Sequence, residues 1–341
     1  MKRTQSVLKM KNDKNRKNTG TILLKCALAA LPLVVFMSLF WFFPMDFFDG
    51  DYPNWRWQKD LLTDESVSAD VLFLGDSLEV SGVMASKWGE NAYNIGLPGT
   101  TAVEMYYTLE TYLEHHDAPK LVIMGYGQNH YIEMNCYWIR TVYFHYLPIS
   151  EQIAFIRQAA ALDDMSVFGD VSVLGETLAY GLCTPGKCLP ALINMIEEQN
   201  RPETNRASYE YYETSHGYLQ IGKDDSCSDA SASVAYDDFV VAAAIDARIR
   251  GIAQLCADNG IQLVIERPPC NQATMDATSK LLASNYEAYL TALAGDFPGM
   301  IVNTQVDVYP DDCFGDPGHM NEQGAERYTQ SLYERYAYLA E

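Results

Sequence analysis

The sequence is short of basic residues: 24 Lys and Arg stand against 45 Asp and Glu, which gives a formal net charge of −21. Eight of the basic residues, with one acidic residue, precede Met45, so the remainder of the chain carries a net charge of −28. Such an acidic body repels a phosphate backbone, which excludes a nucleic-acid-binding protein. With 22 Gly and 14 Pro, the chain is also too poor in both for a fibrous or largely disordered protein.

Long hydrophobic runs are scarce as well. The run Cys26–Met45 has no charged residue and, at about 20 residues, is long enough to cross a bilayer core of about 30 Å. Because the basic residues precede it, the positive-inside rule keeps the N-terminus in the cytoplasm and exports the rest. A cleavable signal peptide is the alternative, but no small-x-small cleavage site follows the run. The sequence therefore predicts a single-pass protein of the cell membrane with an extracellular C-terminal domain.

The chain divides into four predicted segments. A basic cytoplasmic tail (1–20) precedes the transmembrane anchor (21–45), a linker (46–69) and one large domain (70–341). Within that domain, strand and helix patterns are lost between about residues 130 and 235, which indicates an insertion over one end of a sheet. The insertion begins with an aromatic cluster at 131–146, and two interpretations of it stay open: rings that stack on sugars, or a hydrophobic lid or membrane-facing patch.

Export places seven of the eight cysteines in a compartment that permits disulfides. Cys183 and Cys188 bracket a Pro-Gly turn and are candidates for a small disulfide loop, and Cys270 with Cys313 is a second candidate pair. Buried free thiols are the alternative for each of them. Because seven is odd, at least one thiol stays free or pairs outside the chain.

The exported part alternates short apolar runs with amphipathic stretches. The runs predict buried strands, and they lie at Val71–Leu74, Ala92–Ile95, Leu121–Met124, Gln262–Ile265 and Met300–Val302. Helices are predicted from Thr100/Thr101 to about Glu114, near Tyr236–Asn259, and from Asn321 to about Leu339. Strands separated by helices form βαβ units, so the predicted fold is α/β: a three-layer, doubly wound, mostly parallel sheet.

Four features that could take part in catalysis follow predicted strands or precede the last helix. Ser77 stands in Gly-Asp-Ser-Leu after the first strand, where a helix N-terminus favours developing negative charge. Gly99 follows the second strand and can turn a backbone N–H toward a substrate oxygen. Asn129 follows the third strand and offers an amide donor. Asp316, three residues before His319 on a tight turn, can orient one ring nitrogen while the other accepts a proton from serine.

Together these blocks resemble the SGNH/GDSL hydrolase superfamily from about residue 70 to the C-terminus. The string Gly-Asp-Ser-Leu and the ending Asp316-Pro-Gly-His319-Met-Asn-Glu-Gln-Gly324 carry most of the resemblance. An anchor before such a domain is similar to bacterial cell-envelope acyltransferases and esterases, including proteins similar to the one that D-alanylates teichoic acid. The resemblance implies an SGNH/flavodoxin-like form of the α/β fold.

The family pattern implies roles for individual residues. Ser77 is the expected nucleophile, His319 the base and Asp316 the residue that orients the histidine. The expected oxyanion donors are the N–H groups of Ser77 and Gly99 and the side chain of Asn129.

The third block departs from the family's Gly-x-Asn-Asp, because His130 stands where the Asp is expected. His130 is thus an alternative base, though its adjacency to Asn129 argues against it. His130, Glu266 and Arg267 are candidate pocket-lining residues, and an ion pair on the sheet rim is the other interpretation of Glu266 and Arg267.

Two functions stay open at this point. The first is transfer or hydrolysis of an acetyl or other small acyl ester on an extracellular glycan, through an acyl-Ser77 intermediate and without a metal or organic cofactor. The second is an inactive scaffold that holds a partner in an envelope-assembly complex. The expected partners are an envelope glycan or acyl donor, the membrane, and a membrane-bound acyltransferase. The acidic surface favours a neutral glycan as acceptor.

Overall fold

The computed structural model describes residues 19–36, 49–182, 193, 196, 197 and 201–341. Helix α1, Thr19–Phe36, has 18 residues with a mean hydropathy of 2.0, so it is long and apolar enough to cross a membrane. This agrees in part with the predicted anchor. The rest of that anchor, from residue 37 to 45, lies outside the described residues.

The sheet has five strands, all parallel, in the order β2-β1-β3-β4-β5. The bounds are Val71–Gly75 (β1), Ala92–Asn94 (β2), Leu121–Gly125 (β3), Gln262–Glu266 (β4) and Ile301–Val302 (β5). All five lie where the apolar runs predicted strands, and every residue of β1 and β3 is buried. Parallel strands joined by helices confirm the α/β fold class.

Helices cover both faces of the sheet. In chain order they are α2 (Tyr52–Leu61), α3 (Ser77–Gly82), α4 (Ala85–Trp88), α5 (Ala102–His115), α6 (Ile149–Ala161), α7 (Val173–Gly181), α8 (Arg201–Ser215), α9 (Ala243–Asp258), α10 (Gln272–Ala277), α11 (Lys280–Asp296) and α12 (Glu322–Tyr336). One core joins alternate strand residues to α5, α9 and α11, and a second core joins the other strand residues to α4 and α12. The structure is thus a three-layer α/β arrangement.

The predicted helix after the second strand begins with a reciprocal cap. Thr101 accepts a hydrogen bond from the backbone of Val103, and Glu104 accepts one from the backbone N–H of Thr101 at 2.9 Å. This pattern satisfies donors that a helix start leaves free. The cap fixes where α5 leaves the sheet, directly after the Gly99 loop.

Part of the predicted linker belongs to the folded unit. Residues 52–61 form α2, and Trp55, Trp57 and Leu61 are buried in the same core as the sheet. Apolar burial of two indoles explains why this segment folds onto the domain instead of extending. The folded unit therefore begins well before residue 70.

The aromatic cluster at 131–146 belongs to the core. Tyr131, Tyr137, Trp138, Phe144 and Tyr146 are all buried. Rings that are buried in this way have no face available to a sugar or to lipid, so the interpretations of sugar stacking and of a membrane-facing patch are wrong for these rings. The interpretation of a hydrophobic lid stays a prediction.

Short strands form both edges of the sheet. β5 has two residues, and β2 has three. The backbone N–H of Asn94 in β2 donates to the carbonyl oxygen of His216 at 2.8 Å, so a loop from the insertion covers that edge.

Among the described residues, the free thiols are Cys26, Cys136, Cys227, Cys256, Cys270 and Cys313. The predicted pair Cys270–Cys313 is therefore not formed in this structure. The other predicted pair, Cys183–Cys188, lies outside the described residues.

Candidate active site

Ser77 is the first residue of α3, immediately after the turn that ends β1. Asp76 caps the helix, because its carboxylate accepts a hydrogen bond from the backbone N–H of Leu78 at 2.7 Å. The other carboxylate oxygen accepts the N–H of Gly127 at 2.8 Å, which ties the loops after β1 and β3 together. Ser77 thus lies at the carboxyl edge of the sheet, where open parallel sheets bind ligands.

Ser77 and His319, 242 positions apart in sequence, are in direct contact. The hydroxyl of Ser77 lies 2.8 Å from Nε2 of His319. Nδ1 of the same ring lies 2.8 Å from one carboxylate oxygen of Asp316 and 3.0 Å from the other. A carboxylate only accepts hydrogen bonds, so Nδ1 carries the proton and Nε2 is left to accept from the serine hydroxyl. The three side chains form one continuous chain of hydrogen bonds.

Asp316 is held in place by its own turn. One oxygen accepts the backbone N–H groups of Gly318 at 2.8 Å and of His319 at 2.7 Å. Partial burial raises the pKa of Asp316, but these donors and the neighbouring His319 outweigh that effect and leave the pKa below its ordinary value of 3.8. The carboxylate is therefore ionised at neutral pH and suited to orient the imidazole.

The three expected oxyanion donors have no hydrogen-bond acceptor among the described residues. As the first residue of α3, Ser77 has no partner within the helix for its N–H. The loop that carries Gly99 is held against the end of β1 by a hydrogen bond from Leu97 N–H to Gly75 O at 3.0 Å. The side chain of Asn129 lies in the loop that follows β3 and makes no hydrogen bond within the described chain.

Gly99 is a glycine for two physical reasons. Its φ of +76° is a conformation that other residues rarely adopt. A Cβ atom there would also lie 2.7 Å from Sγ of Cys136 and 2.8 Å from Nη1 of Arg140. The sequence motif thus marks a position at which the backbone alone fits.

His130 contacts Asp76 and not the serine. Its Nε2 lies 3.4 Å from the Asp76 carboxylate, while Nδ1 is buried without a hydrogen-bond partner among the described residues. Since the hydroxyl of Ser77 is engaged by His319, the geometry favours His319 over His130 as the base. His130 lies against the turn that presents Ser77.

Glu266 and Arg267 point in different directions from the end of β4. Glu266 is fully buried and accepts hydrogen bonds from Arg335 at 3.0 Å, Asn303 at 2.9 Å and the hydroxyl of Tyr336. Its predicted position in the pocket lining is wrong, because the carboxylate is hydrogen-bonded to these partners beneath the sheet rim and does not face the cavity. Glu266 does form an ion pair, but with Arg335, whereas Arg267 donates to the carbonyl oxygen of Thr304.

Arg267 does line a cavity. A space of about 240 Å³ is bounded by Leu78, Gly127 and Gly318 on one side and by Arg267 and Tyr286 on the other. Leu78 follows Ser77 and Gly318 precedes His319, but neither Ser77 nor His319 lines the space itself. The guanidinium of Arg267 lies 4.6 Å from the centre of the Tyr286 ring. His130 is not among the lining residues. The volume is below the roughly 300 Å³ at which pockets for drug-sized ligands begin, so it suits a small group.

Sequence reasoning missed Glu79, which lies two residues after the serine. Its side chain is fully buried, and neither carboxylate oxygen has a hydrogen-bond partner within the described residues. Burial, followed by the nearby charges of Glu266 and Asp76, raises the pKa of Glu79 well above its ordinary value. The only signal in the sequence is a charged residue between two apolar ones, Leu78 and Val80, at the start of a short helix.

Across the described parts of the chain, no group of three or more His, Cys, Asp or Glu side chains is arranged to hold a metal ion. No protein-family model matches the chain, and no curated protein matches it at a significant level.

Proposed function

We propose that this protein transfers or hydrolyses small acyl esters on an extracellular cell-envelope glycan through an acyl-Ser77 intermediate. The observation that carries the proposal is the hydrogen-bonded series Ser77–His319–Asp316, with 2.8 Å at both the serine–histidine and the histidine–aspartate contact. A serine is a weak nucleophile by itself, and a histidine at this distance can accept its proton.

The proposed reaction has two halves. In the first, Oγ of Ser77 attacks the ester carbonyl, and its proton passes to Nε2 of His319. The tetrahedral oxyanion is stabilised by the N–H groups of Ser77 and Gly99 and the amide of Asn129, each worth about 3 kcal/mol in comparable sites. The C–O bond to the leaving alcohol then breaks, and His319 returns the proton to that alcohol. Asp316 keeps the ring oriented and stabilises the imidazolium.

In the second half, water or a sugar hydroxyl attacks the acyl-serine carbonyl. His319 accepts the attacking group's proton and returns it to Oγ of Ser77 as the acyl–serine bond breaks. Water gives hydrolysis and a free acid, whereas a sugar hydroxyl gives a new ester. Both outcomes use the same residues, so acyl transfer and hydrolysis are two forms of one proposal.

Three further observations support the substrate class. The small cavity lined by Leu78 and Gly318, the sequence neighbours of Ser77 and His319, has room for a small acyl group. The net charge of −28 after Met45 favours a neutral acceptor over a polyanion. Helix α1 supports anchoring in a membrane, and the basic residues before it support an extracellular catalytic domain.

A fluorophosphonate probe and a simple acetyl ester test the proposal on the detergent-solubilised full chain. We expect the wild type to be labelled and to turn over the ester, while Ser77→Ala loses both and His319→Ala loses turnover. Ser233→Ala is the matched control, because Ser233 lines the same cavity but has no histidine partner, and it should behave as the wild type.

A folded wild type that neither reacts nor turns over acetyl esters would favour the scaffold function instead. Mass spectra of envelope glycans from cells with and without the gene then identify the acyl group and its acceptor.

A further inference from the structure

Helix α7 presents an apolar face that nothing in the described chain covers. Leu174, Leu178 and Leu182 recur every fourth residue and therefore share one face; 70%, 49% and 39% of their surfaces are exposed. No residue of α7 is buried. A helix of this kind in a soluble protein normally turns its leucines inward.

Neighbouring segments extend the exposed apolar character. Large apolar side chains are exposed before, within and after α6, and these are Ile139, Ile149, Ile153, Leu162, Met165 and Val171. The residues on α7 and in this set are called the α6–α7 apolar surface below. Singly exposed leucines are ordinary, but three on one face of a helix, with this further set near them in sequence, are typical of an interaction surface.

The α7 end of this surface lies beside the point where the chain enters the domain. Gly181 packs near Val142, and the ring of Tyr180 lies 6.4 Å from that of Tyr143. The same segment reaches the start of the domain, because Arg140 forms an ion pair with Asp51 at 2.8 Å.

The aromatic neighbours lead to the same place. The ring of Phe144 lies 5.2 Å from that of Tyr143 and 5.2 Å from that of Tyr52, the first residue of α2. A series of neighbouring aromatic rings thus links α7 to Tyr52, close to the residue at which the chain enters the domain.

The chain between the anchor and this point is short. The predicted anchor ends at Met45 and α1 ends at Phe36 in the described part of the chain, so six residues (46–51) or 15 residues (37–51) connect them and can extend about 20 Å or about 50 Å at most. The surface around Asp51, where the chain enters the domain, is therefore the part held nearest to the lipid.

We propose that the α6–α7 apolar surface docks on the bilayer that holds the N-terminal anchor. The contact is apolar insertion into the interfacial region, not electrostatic attraction, because a domain with a net charge of −28 is repelled by anionic headgroups. The same charge opposes a second copy of this chain as the occupant. Binding is therefore expected on zwitterionic phosphatidylcholine and to be insensitive to salt.

Docking in this orientation also places the serine. Arg140, which pairs with Asp51, donates to the carbonyl oxygen of Pro98 at 3.1 Å, next to Gly99. The Gly99 loop is therefore on the membrane-proximal side, and a substrate carried at the membrane surface would reach it directly. This last step rests on the proposed function; the docking does not.

Depth-dependent fluorescence quenching tests the docking in the full chain. Leu174→Trp and Leu281→Trp are prepared and reconstituted in phosphatidylcholine vesicles with and without brominated acyl chains. Leu281, on α11, is the matched control because it is an exposed leucine, with 52% of its surface accessible, on another helix. After subtraction of the wild-type emission, bromine should reduce the signal of the Leu174→Trp variant at least about twofold. The signal of the Leu281→Trp variant should stay unchanged, at low and high salt alike.

Equal, weak quenching of the two variants would overturn the proposal. So would an introduced indole at position 174 that is shielded from aqueous iodide but not quenched by bromine, since a second copy or another protein would then cover the surface. Leu178→Trp, one turn along the same face, is a second probe that shows whether the result at position 174 is only local. None of these readouts depends on ester turnover, so an inactive site leaves the docking test intact.

Discussion

Buried Glu79 should make the domain less stable as the pH rises, and Glu79→Gln should remove that dependence. The pKa of Glu79 is raised in the folded chain above the ordinary 4.5, so between pH 4.5 and the folded pKa the unfolded chain releases a proton that the folded chain retains. Stability then falls with increasing pH by up to about 1.4 kcal/mol per unit. Glutamine has nearly the same shape and does not titrate.

The expected magnitude follows from this difference. The wild type should lose up to about 2.5 kcal/mol between pH 5 and pH 7 relative to Glu79→Gln, and the full amount is reached when Glu79 stays protonated in the folded chain over that range. For a domain of this size that corresponds to about 5–10 °C in Tm. At pH 5 the two proteins should be similar, because the amide leaves the same buried positions without a partner.

Urea unfolding followed by tryptophan fluorescence at several pH values measures the difference. Glu65→Gln is the control, because Glu65 is exposed in the folded chain and this variant should parallel the wild type at every pH. If wild type and Glu79→Gln also ran parallel from pH 5 to pH 7, Glu79 would be ionised in the folded protein and the reasoning from its burial would be refuted.

Two further predictions concern the candidate site and its frame. Asp316→Asn should lower kcat for ester turnover by about 10³-fold or more while the fold is kept, because the amide can no longer hold His319 in the required tautomer; single-turnover kinetics with circular dichroism check this, and near-normal turnover would exclude an orienting role. Gly99→Ala should lower both stability and activity, because its methyl group would lie under 3 Å from Cys136. Gly295→Ala is the control: a methyl group there has open space near the end of α11, so this variant should stabilise the domain by about 0.5 kcal/mol in thermal unfolding.

The sheet could be predicted because its strands are buried on both faces. Runs such as Val71–Leu74 and Leu121–Met124 are apolar without interruption, and turn residues follow them. The positions of the strands and their parallel arrangement could therefore both be predicted from the sequence. Helix α2 was not predicted, because Trp55 and Trp57 stand in a short polar segment with Arg56 between them, which resembles a linker until the core that receives the two rings is known. Propensity cannot supply that tertiary partner.

The candidate site divides in the same way. Ser77, Asp316 and His319 could be proposed from local motifs, and their contact follows once the strands are ordered. Glu266 could not be placed, since its burial depends on Arg335, 69 positions away in the sequence. The same holds for Glu79, whose environment is created by distant strands.

The covered edge of β2 has a consequence for how this protein can be crowded on a surface. A free strand edge is a template to which a neighbouring molecule can add its own strand, and molecules tethered side by side meet often. Here the backbone N–H of Asn94 already donates a hydrogen bond to the carbonyl oxygen of His216, and the strand at the opposite edge is two residues long. Many copies can therefore lie side by side without their sheets joining.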